Sequence, residues 1–186
     1  MMSEKAGTHS TEVIASGKYL ELQRVTFTNG RGLHGVWECV NRTNATGAAV
    51  IIPRLVPGDE LILIRQFRPP AGRYMIEFPA GLIEPGETPE STAIRELYEE
   101  TGYQGTIEKV IPPSYNSPGM SGETVSMVIM DVDKNEFPIP PENHQEASED
   151  IQTLIVSRAK LSQFVEEAIA RGDGIDARIA VFAALS

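Results

Sequence analysis

The chain has 186 residues and a formal net charge of −10, from 16 basic and 26 acidic side chains, with 41% hydrophobic and 23% charged residues. These proportions exclude a wholly disordered chain, and the length suits one domain with a small appendage, burying roughly 70% of its extended surface without disulfides or structural metal. The acidic surplus argues against an extended phosphate-backbone binder, so no nucleic-acid partner is expected.

The single cysteine, Cys39, can form no internal disulfide and has no CxxC partner; it reads as a small hydrophobe in a reducing compartment, cytoplasmic or nuclear. The N-terminus has no apolar signal-like core, and no run approaches the ~18 apolar residues of a membrane span, so neither signal nor membrane partner is expected.

In chain order, residues 1–16 are polar and read as loosely ordered and flexible. Residues 18–28 alternate apolar and polar side chains, Asn29-Gly30-Arg31-Gly32 supplies a turn, and residues 33–40 return, so residues 17–45 read as a β-hairpin. Residues 48–55 and 60–67 are strands joined by Pro57-Gly58-Asp59. The clearest helix begins after Thr88, a side-chain cap, with Pro89 at the first helical position and Glu90 facing the dipole. Ala93, Ile94, Leu97 and Thr101 form one side of it, and Gly102 stops it. Strands follow around 105–112 and 124–132, then a Pro- and Glu-rich loop at 135–149, a strand at 151–156, an amphipathic helix at 161–171 and a terminal helix at 176–185. Mixed strands with segregated helices point to an α/β or α+β sandwich with an N-terminal β appendage.

Residues 84–100 hold six carboxylates and one base, Arg95. On a helix Glu99 and Glu100 fall about −60° and +40° from Glu96, so the three acids share one face. Like charges at that spacing repel, and clustered oxygen donors suit a hard divalent cation such as Mg²⁺; the competing reading is a solvated acidic face. A second acidic stretch, residues 142–150, contributes Glu142, Glu146, Glu149 and Asp150, so most of the surplus charge sits in two places.

The segment GLIEPGETPESTAIRELYEETGY resembles the Nudix box, G-x5-E-x7-R-E-U-x-E-E-x-G-U with U bulky and apolar. Gly81, Glu87, Arg95, Glu96, Leu97, Glu99, Glu100, Gly102 and Tyr103 fall on its defined positions, Tyr103 being aromatic where an aliphatic residue is usual. The resemblance implies a Nudix fold, a mixed β-sheet between helices, over residues 46–186. It also implies Mg²⁺- or Mn²⁺-dependent hydrolysis of a nucleoside diphosphate linked to another group. Carried over, Glu96 and Glu100 are metal ligands with Glu99 close by, Arg95 orients a box carboxylate, and Gly81 lets backbone approach the site.

The flanks, IRQFRPPAGRYMIEFPAGLI and NSPGMSGE, resemble the branch that hydrolyses ADP-ribose and other ADP-sugars. That branch implies a homodimer with shared active sites, built by the N-terminal hairpin. Trp37, otherwise read as a core residue, would stack on adenine within a Trp37-Glu38…Arg42 pattern. Tyr19 would cover the base from the partner, and its alternative is a surface strand residue. Leu82 and Ser117 would line the nucleotide site, and Ala80 would offer a carbonyl to metal. Glu77 is a family position whose role is open between structural and functional. Arg68, beside two stiffening prolines, suits a diphosphate or terminal ribose. The arginines grouped as Arg42, Arg54, Arg65, Arg68 and Arg73 would together meet the diphosphate. A carboxylate outside the box would serve the attacking water, Glu149 first and Glu146 as the alternative, against a plain flexible acidic loop. The expected products from ADP-ribose are AMP and ribose 5-phosphate. The rivals are another Nudix substrate, such as GDP-mannose or an oxidised nucleotide, and a non-catalytic ligand sensor, though all four box carboxylates are kept.

Overall fold

The computed structural model describes residues 5–45, 47–145, 147 and 149–185. In chain order its elements are β1 (Gly7–Ser16), β2 (Leu20–Thr28), β3 (His34–Arg42), β4 (Ala48–Val56), β5 (Glu60–Arg68), β6 (Arg73–Glu77), β7 (Ala80–Leu82), α1 (Pro89–Thr101), β8 (Thr106–Tyr115), β9 (Thr124–Asp133), β10 (Ile151–Ser157), α2 (Leu161–Ala170), β11 (Gly174–Ile175) and α3 (Ala177–Ala184). Two sheets result. The first is a three-stranded antiparallel unit in the order β1-β2-β3. The second runs β11-β6-β5-β4-β9-β8, with β10 along β5 and β7 against β4. Its β4–β9 and β11–β6 pairs are parallel and the rest antiparallel, so the sheet is mixed.

For residues 7–16, β1 corrects the reading of the N-terminus as loosely ordered; residues 1–4 lie outside the described residues. All ten of its residues are exposed, so no apolar pattern announced it. Its order comes from the backbone ladder to β2, helped by side-chain contacts such as the Ser10–Thr26 hydroxyl bond of 2.8 Å. β6 and β7 are also additions; both are short and set among Gly and Pro residues.

The large sheet is buried on both faces because its central strands are apolar at nearly every position. Val50 and Ile52 of β4 pack with Leu61, Leu63, Ile76 and Phe78 under Leu161, Ala168, Ile179 and Ala183 of α2 and α3. Ile51 and Leu55 of the same strand, with Ile62, Val128 and Met130, pack under Ala93 and Leu97 of α1 and under Tyr103. The sheet therefore lies between helices, as the box resemblance implied.

α1 begins as read. Thr88 accepts from the Ser91 N–H, the Ser91 hydroxyl accepts from the Thr88 N–H, and Gly102 ends the helix in the left-handed region at φ 74°. One assignment changes: Ile94 is half exposed, and Ala93, Leu97, Glu100 and Thr101 face inward with Thr92. Those positions follow the i, i+4, i+7, i+8 row, and Ile94 lies about 100° around the helix from Ala93. Leu97 is fully buried between helix and sheet. Leu97→Ala should therefore cost about 2–5 kcal/mol, read as a lowered midpoint in urea denaturation.

Candidate active site

β7 delivers the chain to α1 with its backbone against the helix's acidic face. A Cβ on Gly81 would lie 1.7 Å from Glu96 Oε1, so any larger residue here would push the Glu96 carboxylate out of its place. One residue earlier, the Ala80 N–H donates to Glu100 Oε2 at 2.9 Å. Glu96 and Glu100, one helical turn apart, are thus both seated on β7.

Arg95 organises the other acids. Its Nε and Nη2 donate to the two Glu87 oxygens at 2.9 Å each, and its Nη1 donates to Glu96 Oε1 at 2.7 Å and Glu99 Oε2 at 3.0 Å. Nη2 also reaches the Leu82 carbonyl at 3.4 Å. Hydrogen bonds from Arg95, then from Thr92, hold the Glu87 carboxyl down at about 2. Burial has the opposite effect on the inner acids. It raises Glu96 despite Arg95, and it pushes Glu100 up to about 8, with repulsion from Glu96 and Glu149 adding to it.

These mutually repelling carboxylates, Glu100 buried and Glu96 half-buried, are the donors that could hold a cation. No three His, Cys, Asp or Glu side chains converge on one point among the described residues. The contacts explain why: Arg95 draws Glu96 and Glu99 toward itself, and Glu100 turns an oxygen to the Ala80 amide. The donor set still fits Mg²⁺, which keeps several waters and takes only one or two protein carboxylates.

Glu149 reaches the same place from the far side of the chain. Its charge acts on Glu96, Glu100 and Arg68. It lines a cavity of about 560 Å³ with Arg68, Pro69, Tyr74 and Asp150. Glu146 lies outside the described residues. The loop before Glu149 is fastened to the end of α1. The His144 N–H donates to the Glu99 carbonyl at 2.7 Å, and the His144 and Tyr98 rings stack at 4.4 Å. The Glu142 carbonyl sits where a Cβ on Gly102 would come within 2.1 Å of it.

A second group of candidates gathers on β3. Trp37 belongs to neither core: it is 52% exposed, packs edge-on to Phe27, and donates its indole N–H to the Gly119 carbonyl at 2.8 Å. It lines a concavity with Phe27, Cys39 and Pro118. Arg42 bonds Glu123, and the Val40 N–H bonds the Met120 carbonyl, so the loop containing Ser117 docks on this strand. The Ser117 carbonyl closes that loop by accepting from the Met120 and Ser121 amides. Glu38 is exposed and pairs with Arg24, Leu82 is partly exposed, and Tyr19 is exposed with the Lys18 ammonium over its ring. Residue spacing missed Glu123 and Gly119 as partners, although both lie in the NSPGMSGE segment.

The grouping of five arginines does not survive. Arg54 is engaged by Asp131 and Glu108, and Arg65 by Asp173 and the Tyr74 ring. Arg68 stands out among the five because it meets both Glu77, at 2.7 Å, and the charge of Glu100 and Glu149. Glu77 thereby acquires a definite contact, as the carboxylate that fixes the Arg68 guanidinium.

A mixed sheet carrying this loop–helix–loop defines a hydrolase of the Nudix type. The NUDIX domain model matches residues 45–171, and the chain belongs to that family, whose members generally need divalent metal ions. It is 40% identical over 130 residues to an ADP-sugar pyrophosphatase of Mus musculus, a match covering 66% of this chain but only 60% of the relative. It is 33% identical over 175 residues to an ADP-ribose pyrophosphatase of Saccharomyces cerevisiae, covering 87% of this chain and 73% of that one. A crystal structure of an ADP compounds hydrolase superposes with a TM-score of 0.68 at 26% identity, over 89% of this chain and 85% of that one.

The elevated Glu100 carboxyl has a thermodynamic consequence. Between its ordinary value near 4.5 and about 8 the folded state holds a proton that the unfolded state has lost. Metal-free protein should therefore lose stability, by a few kcal/mol, as pH rises through that window. Glu100→Gln should flatten the slope in denaturation series at successive pH values.

Proposed function

We propose that this chain hydrolyses ADP-ribose, and with it other ADP-sugars, to AMP and a sugar phosphate, using Mg²⁺, with Mn²⁺ as a substitute. One observation carries the reading: Glu149 and Arg68 line one cavity, and the charges of both bear on Glu100 of the metal-holding helix face. That arrangement supports a charged diphosphate entering between a metal-holding helix face and a carboxylate able to serve water. The names of the mouse and yeast relatives favour an ADP-linked substrate.

Glu96 and Glu100, with Glu99 beside them and the Ala80 carbonyl, hold metal in this reading. Bound there, Mg²⁺ supplies charge neutralisation on the diphosphate and a fixed geometry for in-line displacement. Glu149 orients the attacking water and accepts its proton. Arg95 keeps Glu96 and Glu99 in place through its short bonds to both. Arg68, fixed by Glu77, faces the diphosphate with a planar fork of donors. Trp37 stacks on adenine from an indole already fixed by the Gly119 carbonyl, and Glu38, Arg42, Leu82 and Ser117 complete the nucleotide end.

A homodimer belongs to the same proposal, with Tyr19 closing over the base from a second copy. The three-stranded sheet exposes Leu20, Leu22 and Val36 on one face, apolar side chains that support such a partner. The free thiol of Cys39 suits a reducing, cytoplasmic setting.

Side-by-side assays with Mg²⁺ should show turnover of ADP-ribose or ADP-glucose well above GDP-mannose or an oxidised guanine nucleotide; preference for either of the latter would overturn the substrate. Glu149→Gln should lower kcat by roughly 10²–10⁴ with the melting curve retained, and near-normal kcat would remove it from the water's path. Trp37→Ala should chiefly raise KM, because stacking is made equally in ground and transition states. A change confined to kcat would sink the stacking role.

A further inference from the structure

One buried polar group is left unused by this reading. Gln66 lies near the end of β5, opposite Ile151 on one side and Met75 on the other. Side chains alternate along a strand, so Gln66 continues the row begun by Ile62, which packs under α1. Leu61 and Leu63 point to the other core. An aliphatic side chain would extend that row. Instead the chain carries an amide that is only 6% exposed, and its Oε1 has no hydrogen-bond partner. Buried polar atoms are nearly always satisfied, and an exception points to a group that arrives from outside. Gln66 also lines the cavity it shares with Arg68, Tyr74, Glu149 and Asp150.

We propose that Gln66 is a specificity-determining residue that accepts a hydrogen bond from a hydroxyl of the sugar on the departing side of the diphosphate. The inference rests on the ADP-sugar reading. The chemistry of the lining selects the ligand. A phosphate oxygen accepts hydrogen bonds and cannot satisfy an amide oxygen, whereas a sugar hydroxyl both donates and accepts. The same cavity presents further carboxylates: Asp150, which accepts a 2.5 Å hydrogen bond from the Tyr74 hydroxyl, and Glu149. Arg68 at its rim suits the phosphate that joins the sugar to the nucleotide. The lining thus offers oxygen acceptors to a polyhydroxyl group and one cation to the adjoining phosphate. Unfilled, the amide is a cost to the folded protein; filled, it rejects a group that brings no hydroxyl.

The test compares wild type with Gln66→Met, which keeps length and volume but removes both polar atoms. Two substrates are used with Mg²⁺: ADP-ribose, and an ADP ester whose terminal ribose is replaced by a cyclopentylmethyl group. Wild type should prefer ADP-ribose in kcat/KM, and the variant should lose at least about 10-fold of that preference. Thermal melting without ligand should show the variant raised by roughly 2–4 °C, because an unpaired buried amide has been replaced by a packing group. An unchanged preference, or an equal loss on both substrates, would overturn the assignment. So would a lowered Tm, which would mean that the amide braces the sheet. Failure of wild type to hydrolyse either ADP compound would instead remove the substrate reading, and the melting comparison would still decide whether the amide is satisfied by the protein.

Discussion

The site depends on a single guanidinium carrying three carboxylates. Arg95 bonds Glu87 in the loop before α1, and Glu96 and Glu99 on the helix itself. A helix that aligns three acids on one face repels itself, and no other base lies within residues 84–100. Arg95 offsets part of that repulsion and uses the same fork to tie the loop to the helix. With Glu87 held, the backbone at Gly81 can lie flat against Glu96, and the Ala80 amide can reach Glu100. The compensation is incomplete. Glu100 is left buried with its affinity for a proton raised, which is the electrostatic condition that a divalent cation relieves.

The sheet acts as a mount between two kinds of cover. Its α1 face carries the acids, and its other face is sealed by α2 and α3. The three-stranded unit is a separate ladder, and among the described residues β3 fastens it to the rest. Trp37, Val40 and Arg42 of β3 bind Gly119, Met120 and Glu123 of the loop leading into β9. That loop therefore couples the tryptophan to a strand that runs parallel to the central strand of the sheet.

Much of this was legible where structure is local. The Thr88 cap, Pro89 and Gly102 bracket α1 within a residue of its ends, and the apolar runs of β4 and β5 announce strands buried on both faces. The box resemblance carried the rest of the fold. What could not be read lies in pairings between distant residues. β1 is ordered by its backbone and shows solvent only side chains. Ile94 looked internal because apolar character was counted before angular position. The group of arginines looked like an anion site until Asp131 and Asp173, far along the chain, engaged two of them. Trp37 is outside the core because its strand belongs to the small sheet, which has only one well-buried residue, Thr28, in β2 or β3.

Gly102 ends α1 at a positive φ, and the Glu142 carbonyl rests where its side chain would be. The last glycine of the box is thus a landing pad as well as a helix stop. The segment that settles there precedes Glu149 in the chain by a few residues. A box of consecutive residues consequently encodes the seat of a loop it does not contain. Drift at this glycine would misplace the far carboxylate while leaving every acid of the box intact.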